Sequence, residues 1–328
     1  MLIAELDPAG ITEADQDAWC ELALACQRVD LPTDPTPTRR ALLGRLQPRG
    51  DEQIRSWVAR DNGGFAGAIV LALFTGANAH LAVCRLEVRP SERRRGVGRV
   101  LYDRAAVAAK AAGRTALVAD CRVWGPGAGF AAELGARPVL TDLRSLLRLS
   151  EVDDAAMRSW ASGGRARTDG CSLVRWVHRC PDELVEQFLL VRTGMDDTPH
   201  GELELRPERP SVVELRKIEL NAARRGEILY AVAVREEATG RLTAYTSVHV
   251  SAGMPWGAVG STTVLPTYRG RGFGLWVKAD MVRWLAVAQP QLTGYVTGND
   301  AENLHMRRIN EAMGYHVLDS WQAWQLDL

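Results

Sequence analysis

The residues with the clearest chemical potential form two short loops. One reads Val88-Arg-Pro-Ser-Glu-Arg93-Arg94-Arg95-Gly96-Val97-Gly98, the other Val264-Leu265-Pro-Thr-Tyr-Arg269-Gly270-Arg271-Gly272-Phe273-Gly274. They align without a gap at an offset of 176 residues and share six identities. An Arg-x-x-Gly-x-Gly stretch at the start of a helix gathers backbone N–H groups with no Cβ in the way, at the positive end of the helix dipole. Such a cradle holds a diphosphate. A plain glycine-rich turn from strand to helix would use the same residue types, but its repetition in the same context favours the phosphate reading. The spelling is neither the Rossmann G-x-G-x-x-G nor the Walker G-x-x-x-x-G-K-[ST], which disfavours both nucleotide classes.

Each loop needs a strand before it and a helix after it, and the patterning supplies both. The apolar runs 81–88 and 258–265 precede the loops. Val97, Leu101, Ala105 and Ala108 follow the first at helical spacing, and Val277, Met281, Leu285 and Ala288 follow the second. A second short strand (115–119 or 292–297) and a short helix ending at Gly135 or Gly314 come next, then a last strand. Upstream of each loop lie two strand candidates, 53–61 with 65–74 and 227–234 with 241–250, joined by the turns Asn62-Gly63-Gly64 and Ala238-Thr-Gly240. Helical stretches around 12–48 and 181–223 precede these hairpins. The pattern predicts an α/β (α+β) fold of two similar domains, each a mixed, mostly antiparallel sheet flanked by helices. The boundaries fall at residues 1–161 and 171–328, with the polar segment 162–170 as linker.

Composition narrows the setting. The 328 residues carry 40 Lys and Arg against 40 Asp and Glu, which gives no bulk charge to hold nucleic acid or an anionic membrane. With 46% hydrophobic and 24% charged residues, the chain has an ordinary globular make-up. No apolar run is long enough to span a bilayer, and the first residues lack a basic-then-apolar leader. The six cysteines are scattered without zinc-type spacing, so they read as reduced thiols in a cytoplasmic protein with no metal.

The second loop, together with Thr297-Gly-Asn299-Asp-Ala-Glu302-Asn303 and the helix that runs to Asn310 and Gly314, resembles the GNAT superfamily of acetyl-CoA-dependent N-acetyltransferases. The likeness extends to both halves and is similar to that of tandem actinobacterial members, of which mycothiol synthase is one type. It implies that Val264 and Leu265 contact the pantetheine arm of the co-substrate acetyl-CoA. Arg269, Gly270, Arg271, Gly272, Phe273 and Gly274 would hold the pyrophosphate, and Asn299 and Asn303 would contact the coenzyme further along. Val88, Arg93, Arg94, Arg95, Gly96, Val97 and Gly98 are the matching set in the first half.

Many members carry a tyrosine seven residues after the helix asparagine, where it protonates the leaving thiolate. Here that place holds Asn310, a hydrogen-bond donor, and in the first half the two places hold Trp124 and Ala131. The expectation is a catalytic second half and a degenerate first half. Candidate bases are His249, Glu302 and His305, with Glu87 beside the first loop. The acidic stretch Met195–Glu204 would suit a cationic amine. The functional expectation is acetyl transfer to a primary amine of a small molecule by direct attack in a ternary complex, from a monomer or homodimer. The alternatives are a non-catalytic acyl-CoA sensor and a mycothiol-synthase-like enzyme.

Overall fold

The structure is a computed structural model that describes every residue except 1, 62–63, 164–167, 197–200, 208 and 210. The central residues of the 62–64 turn, and the middle of the 162–170 linker, lie outside the described residues.

The same order of elements occurs twice. The first half runs β1 (Leu2–Glu5), α1 (Glu13–Asp30), α2 (Arg39–Gly44), β2 (Gln53–Asp61), β3 (Gly64–Leu73), β4 (Leu81–Val88), α3 (Val97–Ala111), β5 (Ala116–Arg122), α4 (Pro126–Glu133) and β6 (Arg137–Arg148). After a connecting helix, α5 (Asp154–Ala161), the second half runs β7 (Cys171–Val177), α6 (Val185–Arg192), α7 (Val212–Arg224), β8 (Glu227–Glu236), β9 (Leu242–Ser251), β10 (Trp256–Val264), α8 (Phe273–Ala288), β11 (Gly294–Asp300), α9 (Leu304–Met313) and β12 (His316–Asp327). Local chemistry sets the helix starts. Thr12 and Thr38 cap α1 and α2 through their hydroxyls, and Ser211 with Glu214 forms a reciprocal capping box on α7. Gly96 and Gly272 begin α3 and α8 at φ +82° and +83°, a left-handed conformation that favours glycine.

All twelve strands form one sheet, in the order β1-β2-β3-β4-β5-β12-β6-β11-β10-β9-β8-β7. Only β4 with β5 and β10 with β11 pair in parallel; the other neighbours are antiparallel. The closing strands are exchanged. β12, from the second half, lies between β5 and β6, and β6, from the first, lies between β12 and β11. Helix α5 crosses over as well: Met157 and Trp160 sit in the second half's core, and Trp276 Nε1 donates to the Ala161 carbonyl at 3.0 Å. The division at 162–170 thus follows the chain, while packing interlocks the two halves.

A further seam joins them. Helix α7 clamps the loop after α2: Asn221 Nδ2 donates to Gly50 O at 2.7 Å, Arg225 to Pro48 O at 2.7 Å, and Lys217 pairs with Asp51 at 2.6 Å. Gly44 is needed there, since a Cβ would meet the Arg225 carbonyl at 2.9 Å.

Candidate active site

Strands β4 and β5 pair only over Leu81–Val83 and Ala116–Val118, then part. From Cys84 to Val88, β4 keeps its antiparallel partner β3 on one edge and has no strand on the other. A cavity of roughly 1980 Å³ opens at this split and extends to Ala258, Val259, Val296, Thr297 and Gly298 at the corresponding split of the second half. Strand alternation divides its lining. Cys84, Leu86 and Val88 turn toward α3 in the first half's core, whereas Arg85 and Glu87 turn to the opposite face, with Asp120 of β5.

On the α3 side the cavity is lined by Gly96 and Gly98 of the loop and by Gly127 and Gly129 of α4. Gly127 lets α4 approach β5, since a Cβ there would stand 3.1 Å from Cys121 Sγ; Gly129 has open space beside it. The thiols in the wall are inert. Burial pushes Cys84 and Cys26 up to about 12 and Cys121 to about 11, so all three stay protonated at neutral pH.

The first arginine of each loop is a strap. Arg93 Nε donates to the Val88 carbonyl at 3.1 Å and Arg269 Nε to the Val264 carbonyl at 3.2 Å. Arg93 also grips Asp30 through both terminal nitrogens, at 2.9 and 2.6 Å, so its guanidinium is committed to the fold and not to a phosphate. Arg94 and Arg95 are exposed, near Glu133 and Glu92. Val97 and Phe273 are buried core side chains whose backbone alone is available to a ligand.

In the second half, β10 and β11 part after Ala258 and Val296, and β10 carries a register shift between Val259 and Thr262 that β4 lacks. The residues expected to bind there have other partners. Leu265 is buried in an apolar cluster, and its N–H donates to Thr243 O at 2.9 Å. Arg271 lies over the rings of Phe273 and Tyr268, at 4.6 and 5.7 Å. Asn303 caps α9 by accepting from Met306 N–H. Asn310 is buried and donates to Asn299 Oδ1 at 2.7 Å, with its own Oδ1 unpaired. The loop Arg269–Gly274 does not line the large cavity.

The candidate bases separate clearly. Glu302 and His305 are exposed, away from the cavity, and the Glu302 N–H donates to Asp300. His249 does reach the cavity wall, where Nδ1 lies 3.0 Å from Glu227 Oε2. Burial would raise Glu227, but hydrogen bonds from His249 and Arg225 outweigh it and hold the carboxyl at about 2. Glu87 lines the cavity with Oε2 unpaired. Asp120 is held above the usual carboxylate range by desolvation, against the pull of Arg85 and Arg49.

In the acidic stretch, residues 197–200 lie outside the described residues. Of the rest, Asp196 pairs with Arg209 and Glu202 with Arg137, and neither carboxylate lines the cavity. The groups that do line it, Arg45, Arg49, Arg85, Asp120 and Asp142, were passed over in the sequence. A signal existed for some. Arg85 and Glu87 are two charges at alternate positions of an otherwise apolar strand, and Asp120 interrupts ALVADCR in the same way. Among the described residues no group of His, Cys, Asp and Glu could hold a metal ion, and no helix is long and apolar enough to cross a membrane.

Residues 17–136 match the acetyltransferase (GNAT) family. The whole chain superposes on a tandem GNAT protein from the clavulanic acid biosynthesis pathway with a TM-score of 0.79 and 27% identity, covering 99% of this chain and 98% of that one. Residues 17–136 thus carry a GNAT domain, and the whole chain is similar to a tandem GNAT protein. A GCN5-related N-acetyltransferase from Sphaerobacter thermophilus has the same fold, with a TM-score of 0.69 and 15% identity over 99% of this chain and 95% of that one. So does the glucosamine N-acetyltransferase region of a fungal multi-domain β-N-acetylglucosaminidase, with a TM-score of 0.65 and 17% identity over 99% and 38% of the two chains. No curated protein matches the sequence. The match supports an acyltransferase. The sequence match lies in the half whose loop lines the cavity.

Proposed function

We propose that this protein transfers an acetyl group from acetyl-CoA to a primary amine of a small molecule, directly within a ternary complex, with the coenzyme seated in the first half. The observation that carries this reading is the cavity at the parting of β4 and β5, walled by Gly96, Gly98 and a glycine-lined α4. The pyrophosphate would rest on the N–H groups that open α3, near Arg94 and Arg95. Trp124, 98% exposed on the rim, offers a face to the adenine. The pantetheine would add alongside the free edge of Cys84–Val88 as a further strand does.

The thioester then sits at the split, and the amine approaches from the opposite face. An ammonium must lose a proton before it can attack, and Glu87 and Asp120 are the carboxylates placed to take it, directly or through water. Burial raises the Asp120 carboxyl, which strengthens it as a proton acceptor. The amine nitrogen bonds to the carbonyl carbon, the carbon–sulfur bond breaks, and coenzyme A leaves as a thiolate that takes up a proton. A thiol of pKa about 8.5 leaves adequately without a tyrosine acid. Strand N–H groups at the split would stabilise the oxyanion, and alignment of the two substrates supplies the rest of the acceleration.

Titration calorimetry of acetyl-CoA into the wild type, Gly98→Trp and Gly274→Trp tests the seat. Gly98 lines the cavity with its Cβ position in ordinary contact, so the indole fills the groove there; Gly274, at the matching place, is buried away from the cavity beside Ile309 and Val264. The expected result is one site, lost in Gly98→Trp and kept in Gly274→Trp. Loss only in Gly274→Trp would move the coenzyme to the second half. Tight binding with no transfer to any amine would favour the sensor.

A further inference from the structure

We propose that the acceptor is a zwitterion, an amine that also carries a carboxylate in the manner of an amino acid, bound with its carboxylate toward Arg49 and Arg85 and its amine toward Asp120. This rests on the coenzyme seat proposed above, and it names the substrate class of that site. The first argument is sidedness. Arg85, Glu87 and Asp120 occupy the face of the sheet away from α3, so they stand across the split from the pyrophosphate loop and are not placed to pair with coenzyme phosphates. They belong to the acceptor chamber.

The second argument is charge accounting within that chamber. Glu87 Oε1 lies 3.5 Å from Arg45 and 3.7 Å from Arg85, one carboxylate shared by two guanidiniums. The Arg49 side chain makes no ion pair or hydrogen bond among the described residues, and it feels Arg225 and Arg85 on one side and Glu227 and Glu52 on the other. Arg225 is already matched, gripping Glu227 at 3.1 and 2.7 Å. The arginine side therefore presents two guanidiniums, Arg49 and Arg85, that no carboxylate among the described residues grips through both of its oxygens. Asp120 and Asp142 make up the other side: neither has a hydrogen-bond or ion-pair partner among the described residues, and each is raised chiefly by burial. Arg49, Arg85 and Asp120 are exposed on the cavity wall, so guanidinium forks and a carboxylate stand open to one ligand.

A zwitterion answers both sides at once. Its carboxylate can take the forked donors of a guanidinium, and its ammonium can lie against Asp120, where the proton must be removed. A polyamine or aminoglycoside would place extra positive charge among Arg45, Arg49 and Arg85, which disfavours the cationic acceptor suggested by the acidic stretch. The arginines are also held in place. Arg49 sits in the loop that α7 of the second half clamps through Asn221 and Arg225, so both halves shape the acceptor site.

The test uses the full chain with saturating acetyl-CoA and matched acceptors: glycylglycine against glycylglycinamide, and ornithine and lysine against their amides, putrescine and cadaverine. Release of the coenzyme thiol is the readout. Carboxylate-bearing members should show kcat/KM at least about 10-fold above their amides, as expected for a charge-assisted hydrogen bond. Arg49→Met and Arg85→Met should each bring the carboxylate-over-amide ratio of kcat/KM down to within about 2-fold of unity with acetyl-CoA affinity unchanged; the ratio is the readout because both guanidiniums also act on Asp120, which every acceptor uses. Equal use of amides and diamines, or variants that weaken every acceptor alike, would overturn the proposal. If no acceptor turns over, calorimetry of the same compounds into the protein with bound coenzyme A decides: failure of the carboxylate members to bind refutes the class. Failure of the coenzyme seat would show separately, as acetyl-CoA binding that Gly98→Trp leaves intact.

Discussion

At corresponding points of the two split strand pairs, Arg85, Glu87 and Asp120 of the first half stand where the second half has Ser261, Thr263 and Asn299. The helix beyond each split differs in the same direction. Gly127 and Gly129 on α4 correspond to Met306 and Arg308 on α9, and the cavity follows the glycines. Around the second loop, Gly194 packs on Thr263, where even a Cβ would meet the hydroxyl at 2.5 Å, and Arg271 is folded over aromatic rings. Repetition has kept the scaffold and the glycine loop, while the glycine-lined wall and most of the ionisable groups of the shared cavity belong to one copy. A shared motif therefore locates two potential cradles, and only what surrounds each one distinguishes them.

The most severe way to break the comparison is to separate the halves. β6 has no partner strand in its own half, nor has β12, because each pairs only across the exchange. Fragments 1–163 and 168–328, coexpressed, should copurify as a one-to-one complex, and each expressed alone should be insoluble or self-associated through its unpaired strand edges. Two monomeric, independently melting fragments in size-exclusion and denaturation experiments would contradict the interlock.

Next in size is the contrast in chemistry. Asp120→Asn and Glu87→Gln should each lower kcat by about 100-fold if that carboxylate removes the amine proton, within the usual range for general base catalysis. Thr263→Val and Asn299→Ala, at the matching points of the second half, should change kcat by less than about 3-fold. Acetyl-CoA affinity measured alongside separates loss of proton transfer from loss of binding. An Asn299→Ala variant as impaired as Asp120→Asn would restore the second half as the working site.

Much of this arrangement was legible from local pattern. The glycine loops, their flanking strands and helices and the two hairpins all stand close to where alternation and helical spacing place them, because each is set by neighbours within a few residues. The exchange of β6 and β12 was not, since a strand's own pattern says that it pairs and not with which distant strand. The weight placed on the last helix rested on Asn303 and Asn310, polar residues that in the fold cap α9 and satisfy Asn299. Arg49 and Arg225 were invisible for a third reason. They lie in segments far apart in sequence that meet only through the seam between α2 and α7.

Position 278 offers a test of stability in place of activity. Lys278 corresponds to Tyr102, which lines the first half's cavity, but Lys278 is 3% exposed, has no hydrogen-bond partner and lies 5.0 Å from the Tyr315 ring centroid. Desolvation lowers its pKa from 10.5 to about 8. For a lysine with a depressed folded pKa, the unfolded chain binds the proton more tightly, so stability rises with pH between about 8 and 10.5 and the penalty is full below 8. Lys278→Met should therefore stabilise the protein by on the order of 3 kcal/mol at pH 7. The gain should shrink to about two fifths of that at pH 9.5, in urea titrations. A gain that does not change with pH would mean that Lys278 reaches solvent or a counter-ion.

The smallest effect sharpens the comparison at the loops themselves. Arg94 adopts φ +63°, the left-handed conformation taken by Gly270 at the matching position of the second loop at φ +75°. A side chain in that conformation is strained, so Arg94→Gly should raise stability, and Gly270→Arg lower it, by about 0.5–1 kcal/mol. The first loop keeps the arginine despite that cost, and its guanidinium is 85% exposed with only Glu133 nearby at 3.5 Å, an exposed pair of little energetic weight. If Arg94 serves the pyrophosphate, Arg94→Gly should weaken acetyl-CoA binding by about 3- to 10-fold even as the protein becomes more stable. The loss should grow as salt is lowered, because the missing attraction is electrostatic. Gly270→Arg should leave the affinity unchanged. Opposite signs for stability and affinity at one residue separate a strained ligand-binding side chain from one that is merely tolerated.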